Sequence, residues 1–141
     1  MRSPLVLATV IGACLTACVG CGSNGRHPVY GKVLYNGEPA VGANVTFVRT
    51  GVAAGTDNQA AQGTVQEDGT FTLAGPTGAG APPGDYSVLV EWKEGAGKIK
   101  GRSPALNAPD RLKNRYMNPN KPLLTATIEA KTNQLSPFEL K

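Results

Sequence analysis

From Pro28 onward, apolar and polar residues alternate in short runs separated by turn signals, the period-two pattern of half-buried strands. Val29, Gly31, Val33 and Tyr35 alternate with Tyr30, Lys32 and Leu34, and Asn36-Gly37, a strong two-residue hairpin signal, ends that run. A second strand is expected over 43–48, with Ala43, Val45 and Phe47 on one face, and a short third over 62–66. Glu67-Asp68-Gly69 reads as a tight turn into a fourth strand carrying Phe71 and Leu73 on one side. The clearest strand spans 85–93 and puts Tyr86, Val88, Val90 and Trp92 on one face. A sixth over 123–130 aligns Leu124, Ala126, Ile128 and Ala130, and Phe138 with Leu140 closes the chain as the seventh. Residues 51–61 and 75–84 read as loops. Only residues 110–117, an amphipathic turn or two after Pro109, suggest helix. This pattern predicts an all-β fold, an immunoglobulin-like Greek-key β-sandwich of about seven strands.

Composition agrees. Gly and Pro make up 29 of the 141 residues, well above the roughly 12% of average proteins. Both are poor in helix interiors, and the glycines have no three-residue period, which excludes a collagen-like chain. The chain length fits one domain with a modest core.

The first residues follow a different rule. Arg2 precedes an apolar run from Leu5 to Ala17. A basic start, a run of that length and small residues at its end form an export signal, too short for a bilayer span of roughly 20 residues. All three cysteines, Cys14, Cys18 and Cys21, stand here, so the domain that follows has no cysteine for a disulfide of its own. Leu15-Thr16-Ala17-Cys18 resembles the bacterial lipobox, in which a peptidase cleaves before a cysteine whose thiol accepts a diacylglyceryl group. Cys18 is therefore the expected lipidation site, with Cys21 as the alternative. The expected organisation is a signal peptide over 1–17, a flexible tether over 18–27 and a β-sandwich domain over 28–141. Several acyl chains on one residue hold a protein firmly to a bilayer.

Within the domain, "PVYGKVLYNGEPAVGANVTFV" resembles the opening of carboxypeptidase regulatory-like, transthyretin-like domains. The matching positions are Gly31-Lys32-Val33, the turn from Asn36 to Pro39, and Gly42 to Phe47. "DGTFTL" from Asp68 to Leu73 and "PPGDYSVLV" from Pro82 to Val90 are similar to that family's later hairpin and strand. The C-terminal segment, with Tyr116, Pro119, Leu124 to Ile128, Asn133 and Phe138 to Leu140, looks like small bacterial lipoproteins of the same kind. The resemblance implies the same sandwich fold and an envelope location.

Catalytic chemistry finds little support. The single His27 sits in the expected tether, away from any nucleophile. The domain lacks the three or four His or Cys ligands of a zinc site, so neither a metal nor any other cofactor is expected. Glu67-Asp68 is explained by turn chemistry, and its spacing with Asp57 and Asn58 matches no calcium loop.

Charge is more informative. Residues 93–121 carry eight basic and two acidic side chains, while the remainder of the chain after residue 17 is about −3. Lys98, Lys100, Arg102, Arg111, Lys113 and Arg115 are thus candidate contacts for a polyanion, an acidic polysaccharide or anionic lipid heads. The competing explanation is a solvated loop kept soluble by its charges. Nucleic acid is disfavoured, since only Tyr116 is available there for stacking. Trp92 and Tyr86 share a face with Val88 and Val90, which suits core packing; the alternative is a glycan-stacking platform. The sequence reads as a non-enzymatic, lipid-anchored protein of the bacterial cell envelope, facing periplasm or cell surface. Its expected role is structural or binding, with an envelope protein or polysaccharide as partner. The alternative is a carbohydrate-binding module of starch-binding-like fold.

Overall fold

A computed structural model describes residues 25–52, 60–99 and 101–141. The expected strands form in two sheets, and among the described residues there is no helix. The strands are β1 (Val29–Tyr35), β2 (Glu38–Pro39), β3 (Asn44–Arg49), β4 (Ala61–Thr64), β5 (Thr70–Thr72), β6 (Ala74–Gly75), β7 (Gly78–Ala79), β8 (Gly84–Glu91), β9 (Leu124–Ile128), β10 (Asn133–Gln134) and β11 (Phe138–Leu140). The seven longer strands are those the alternation predicts. The other four are two-residue pairings, too short to show a period.

One sheet is centred on β1, with β10 and β11 parallel to it on one edge and β2 and β5 antiparallel on the other. The second sheet runs β7-β6-β4-β3-β8-β9, antiparallel throughout. Between β1 and β2, Asn36 and Gly37 take φ of 50° and 86°. Two successive positive φ values suit the tight right-handed twist of a two-residue hairpin.

The sheets meet through their apolar faces. Val29, Val33, Phe71, Leu73 and Leu140 come from the first; Ala43, Val45, Phe47, Tyr86, Val88, Val90 and Ile128 come from the second. Phe47 is the joint. Its ring centroid lies 6.2 Å from Phe71, 6.4 Å from Phe138 and 5.9 Å from Tyr86, so one side chain touches aromatic rings of both sheets. Such pairs contribute about 0.5–1.5 kcal/mol each beyond area burial. Phe71 stacks on Phe138 at 6.3 Å and lies across Gly31, its partner in register.

Two boundaries differ from expectation. The paired backbone begins before Pro28, because His27 and Ala81 exchange backbone hydrogen bonds of 2.9 and 3.0 Å. Arg26 is also buried and donates from Nη2 to the Gly80 carbonyl, 2.6 Å away. Arg26 and His27, expected in a tether over 18–27, thus belong to the folded body; residues 18–24, with Cys18 and Cys21, lie outside the described residues. The helical turn expected over 110–117 is absent. Lys113 and Asn114 adopt φ of 53° and 58°, left-handed values that interrupt a right-handed helix.

A Cβ added at Gly31 would meet the Phe71 ring at 2.4 and 2.6 Å. That ring is fully buried between Phe47 and Phe138 and has nowhere to move. Gly31→Ala is expected to lower the urea midpoint, at a cost of about 1–3 kcal/mol; an unchanged midpoint would show that the Phe71 contact is not rigid.

Candidate functional site

The segment after β8 crosses the end of the sandwich before returning as β9. Its attachment rests on Asp110. The Asp110 Oδ1 accepts hydrogen bonds from the backbone N–H of Trp92 at 2.8 Å and of Leu112 at 3.1 Å. Its Oδ2 accepts from the N–H of Asn114 at 2.8 Å. A short aspartate side chain that satisfies nearby backbone donors competes with helix formation, which accounts for the turn seen at 110–117. Leu112 and Tyr116 still face inward and are buried. Tyr116 accepts a bond from the Val90 N–H through its carbonyl and one from the Lys141 N–H through its hydroxyl.

Trp92 is sealed inside this attachment. It is 6% exposed, donates from Nε1 to the Val41 carbonyl at 2.9 Å, and meets the edge of Tyr35 at 5.6 Å. The Arg111 guanidinium lies 3.6 Å above its ring, a close cation–π contact. Tyr86 is 2% exposed and donates its hydroxyl hydrogen to the Pro82 carbonyl. Burial pushes the ionisation of that hydroxyl above its usual range, against the opposing charges of Arg49 and Arg26. Neither ring offers a free face, so the glycan platform at Trp92 and Tyr86 is not formed; both belong to the core.

The first half of the crossover roofs an open cleft of about 880 Å³, within the roughly 300–1,000 Å³ range of ligand sites. Its floor is the outer face of the second sheet. Thr64, Asn44 and Glu91 lie side by side in register across β4, β3 and β8. Thr64 donates its hydroxyl hydrogen to the Asn44 side-chain oxygen at 3.2 Å. One lip is the β4–β5 turn with Glu67 and Asp68; the other carries Ile99, Arg102, Ser103 and Leu106. The roof is pinned where Gly42 and Gly97, both at positive φ, meet backbone to backbone. A Cβ on Gly42 would lie 2.4 Å from the Gly97 nitrogen. Lys93 holds the far end, its Nζ donating to the Leu106 carbonyl at 2.9 Å while pairing with Glu91 at 3.8 Å.

The six basic candidates divide between two turns. Lys98 and Arg102 are exposed on the cleft roof, and Lys100 between them lies outside the described residues. Arg111 is occupied by Trp92, and Arg115 donates to the Lys141 carbonyl at 3.1 Å. Lys113 is exposed on the same turn. The cleft itself is of mixed sign, with Glu67, Asp68 and Glu91 facing Lys93 and Arg102. Sequence reading missed the floor, because Asn44, Thr64 and Glu91 meet only through register. Their one linear sign is the polar alternate positions of β3 and β4. Asp110 was also missed, because its bond to the Trp92 N–H spans eighteen positions.

Among the described residues, no three His, Cys, Asp or Glu side chains gather where they could hold a metal ion. The chain matches no family model, no curated protein and no solved structure.

The Asp68 carboxylate on the acidic lip accepts both the Thr70 hydroxyl at 2.6 Å and the Thr70 N–H at 2.9 Å. The Thr70 hydroxyl, then its N–H, holds the ionisation of Asp68 below the ordinary 3.8. A carboxyl depressed in the folded state stabilises folding above its unfolded pKa and loses that contribution as pH falls through the folded value. Carboxyl NMR titration should place the Asp68 midpoint below 3.8 and move it upward in Thr70→Val; identical midpoints would refute the assigned cause.

Proposed function

We propose that this chain is a non-enzymatic, lipid-anchored protein of the bacterial cell envelope, with a binding role exercised at the crossover end of its sandwich. The observation that carries the reading is Leu15-Thr16-Ala17-Cys18 at the end of an apolar run, in a chain with no cysteine beyond Cys21. The Cys18 thiol attacks a phospholipid's glyceryl carbon and displaces its headgroup phosphate, giving a diacylglyceryl thioether, and hydrolysis of the Ala17–Cys18 peptide bond then frees the cysteine amine. The paired backbone starting at Arg26 and His27 supports the same reading, since only a short link then separates Cys18 from the folded body. The two-sheet architecture is compatible with a carboxypeptidase regulatory-like domain, the family the strand motifs resemble.

The cleft supports the binding role. It is large, open and lined by amide, hydroxyl and charged side chains of both signs. Its lining residues include no aromatic ring, so a sugar partner would find no stacking surface there. That favours the envelope-binding reading over a carbohydrate-binding module.

Mass spectrometry of the membrane-extracted protein tests the anchor. The mature N-terminus should be Cys18 carrying a diacylglyceryl group, and Cys18→Ser should leave unprocessed precursor. An acylated Cys21 would move the anchor by three residues, and an intact Met1 would overturn the reading.

A further inference from the structure

We infer that the roof of the cleft, residues 98–99 and 101–106, rests on an anionic phospholipid surface, the bilayer that holds the chain's own anchor. The inference depends on the lipid-anchor reading above and adds the second contact that would orient the domain.

Three observations converge on this loop. Residues 95–109 contain Lys98, Lys100 and Arg102 and no carboxylate. Among the four large apolar side chains exposed in the described residues, Ile99 and Leu106 both stand here, 56% and 95% exposed. The loop backbone is held at both ends: Ala96 is buried, Gly97 is wedged against Gly42, and Lys93 ties down the Leu106 carbonyl. The tip is thus presented outward with apolar and cationic side chains interleaved, the composition of a surface that meets headgroups and the acyl boundary together. A polysaccharide would satisfy the cations and leave Leu106 in water, whereas a bilayer accommodates both.

Geometry permits the contact. The chain enters the body at Arg26 and His27, beside Ala81 and the start of β8, while the loop follows the other end of β8. Seven residue steps along β8 separate the two ends by about 24 Å. Cys18 and Arg26 are eight steps apart, a reach of at most about 29 Å. The tether is therefore long enough for the domain to lie on its side, with the loop against the membrane. On the opposite lip, Glu67 and Asp68 would be repelled by an anionic surface, so the charge pattern across the cleft selects which lip faces down.

The test uses the full acylated chain in vesicles of brominated phosphatidylcholine, with and without phosphatidylglycerol. Leu106→Trp provides the reporter, and the parent protein supplies the background of buried Trp92. Reporter quenching should be about twofold or more stronger in the anionic vesicles, and high salt should abolish the difference. It should also vanish in the same reporter carrying Lys98→Glu, Lys100→Glu and Arg102→Glu. Flotation of the same samples reads the anchor independently. Protein that floats with no bromolipid quenching overturns the loop contact alone, as does quenching indifferent to lipid charge. A reporter shielded from aqueous iodide but not quenched by lipid overturns it in favour of a protein partner. Protein that fails to float overturns the anchor and the inference together.

Discussion

One carboxylate organises the functional end of this molecule. Asp110 gathers the backbone N–H groups of Trp92, Leu112 and Asn114, residues on both sides of an eighteen-residue excursion. β8 ends at Glu91, and these side-chain bonds reinforce the backbone pairs of Arg111 with Trp92 and Glu94 with Pro109 that fold the crossover back over the sheet. With this closure, Trp92 is driven into the core, Arg111 is laid over the indole, and Leu112 and Tyr116 plug the end of the sandwich. The cleft roof is the part of the crossover left outside this closure. It is pinned at Gly97 and Leu106. Hydrogen bonds to a charged acceptor are worth about 1.5–3 kcal/mol each, so three on one side chain can outweigh the entropy of ordering a short loop.

The sandwich supplies the frame in which that closure matters. Phe47 joins the two sheets at mid-height, and β1 and β8 run the length of the body on either side of it. The entry of the chain at Arg26 and the cleft at Glu91 consequently lie at opposite ends. The proposed anchor at Cys18 and the proposed contact surface on the crossover would then be separate fixtures, joined through the length of β8.

The sequence made the strands legible and the sheets much less so. Tyr86, Val88, Val90 and Trp92 declare a shared face by alternation alone, and Asn36-Gly37 declares its turn through the backbone those residues prefer. The parallel pairing of β1 with β10 and β11 brings together residues about a hundred positions apart, which no local pattern encodes. Leu112 and Tyr116 have helical spacing and are buried as a helix would bury them, yet the segment is too short to repay helix nucleation. Asp110 offers its backbone better partners. Tyr86 and Trp92 show a similar limit, since period two places them on a face without saying whether that face meets water. The basic stretch was visible as charge, but its division between the cleft roof and the Trp92 cover depends on tertiary contacts.

Hydrogen exchange on wild-type protein and Asp110→Ala tests most directly whether a single carboxylate builds this end. The Trp92, Leu112 and Asn114 amides are expected to be protected in the wild type. In Asp110→Ala they should exchange rapidly, together with the rest of residues 93–117, while the Val45 and Val88 amides stay protected. Unchanged protection across 93–117, or equal loss throughout both sheets, would contradict that role of Asp110.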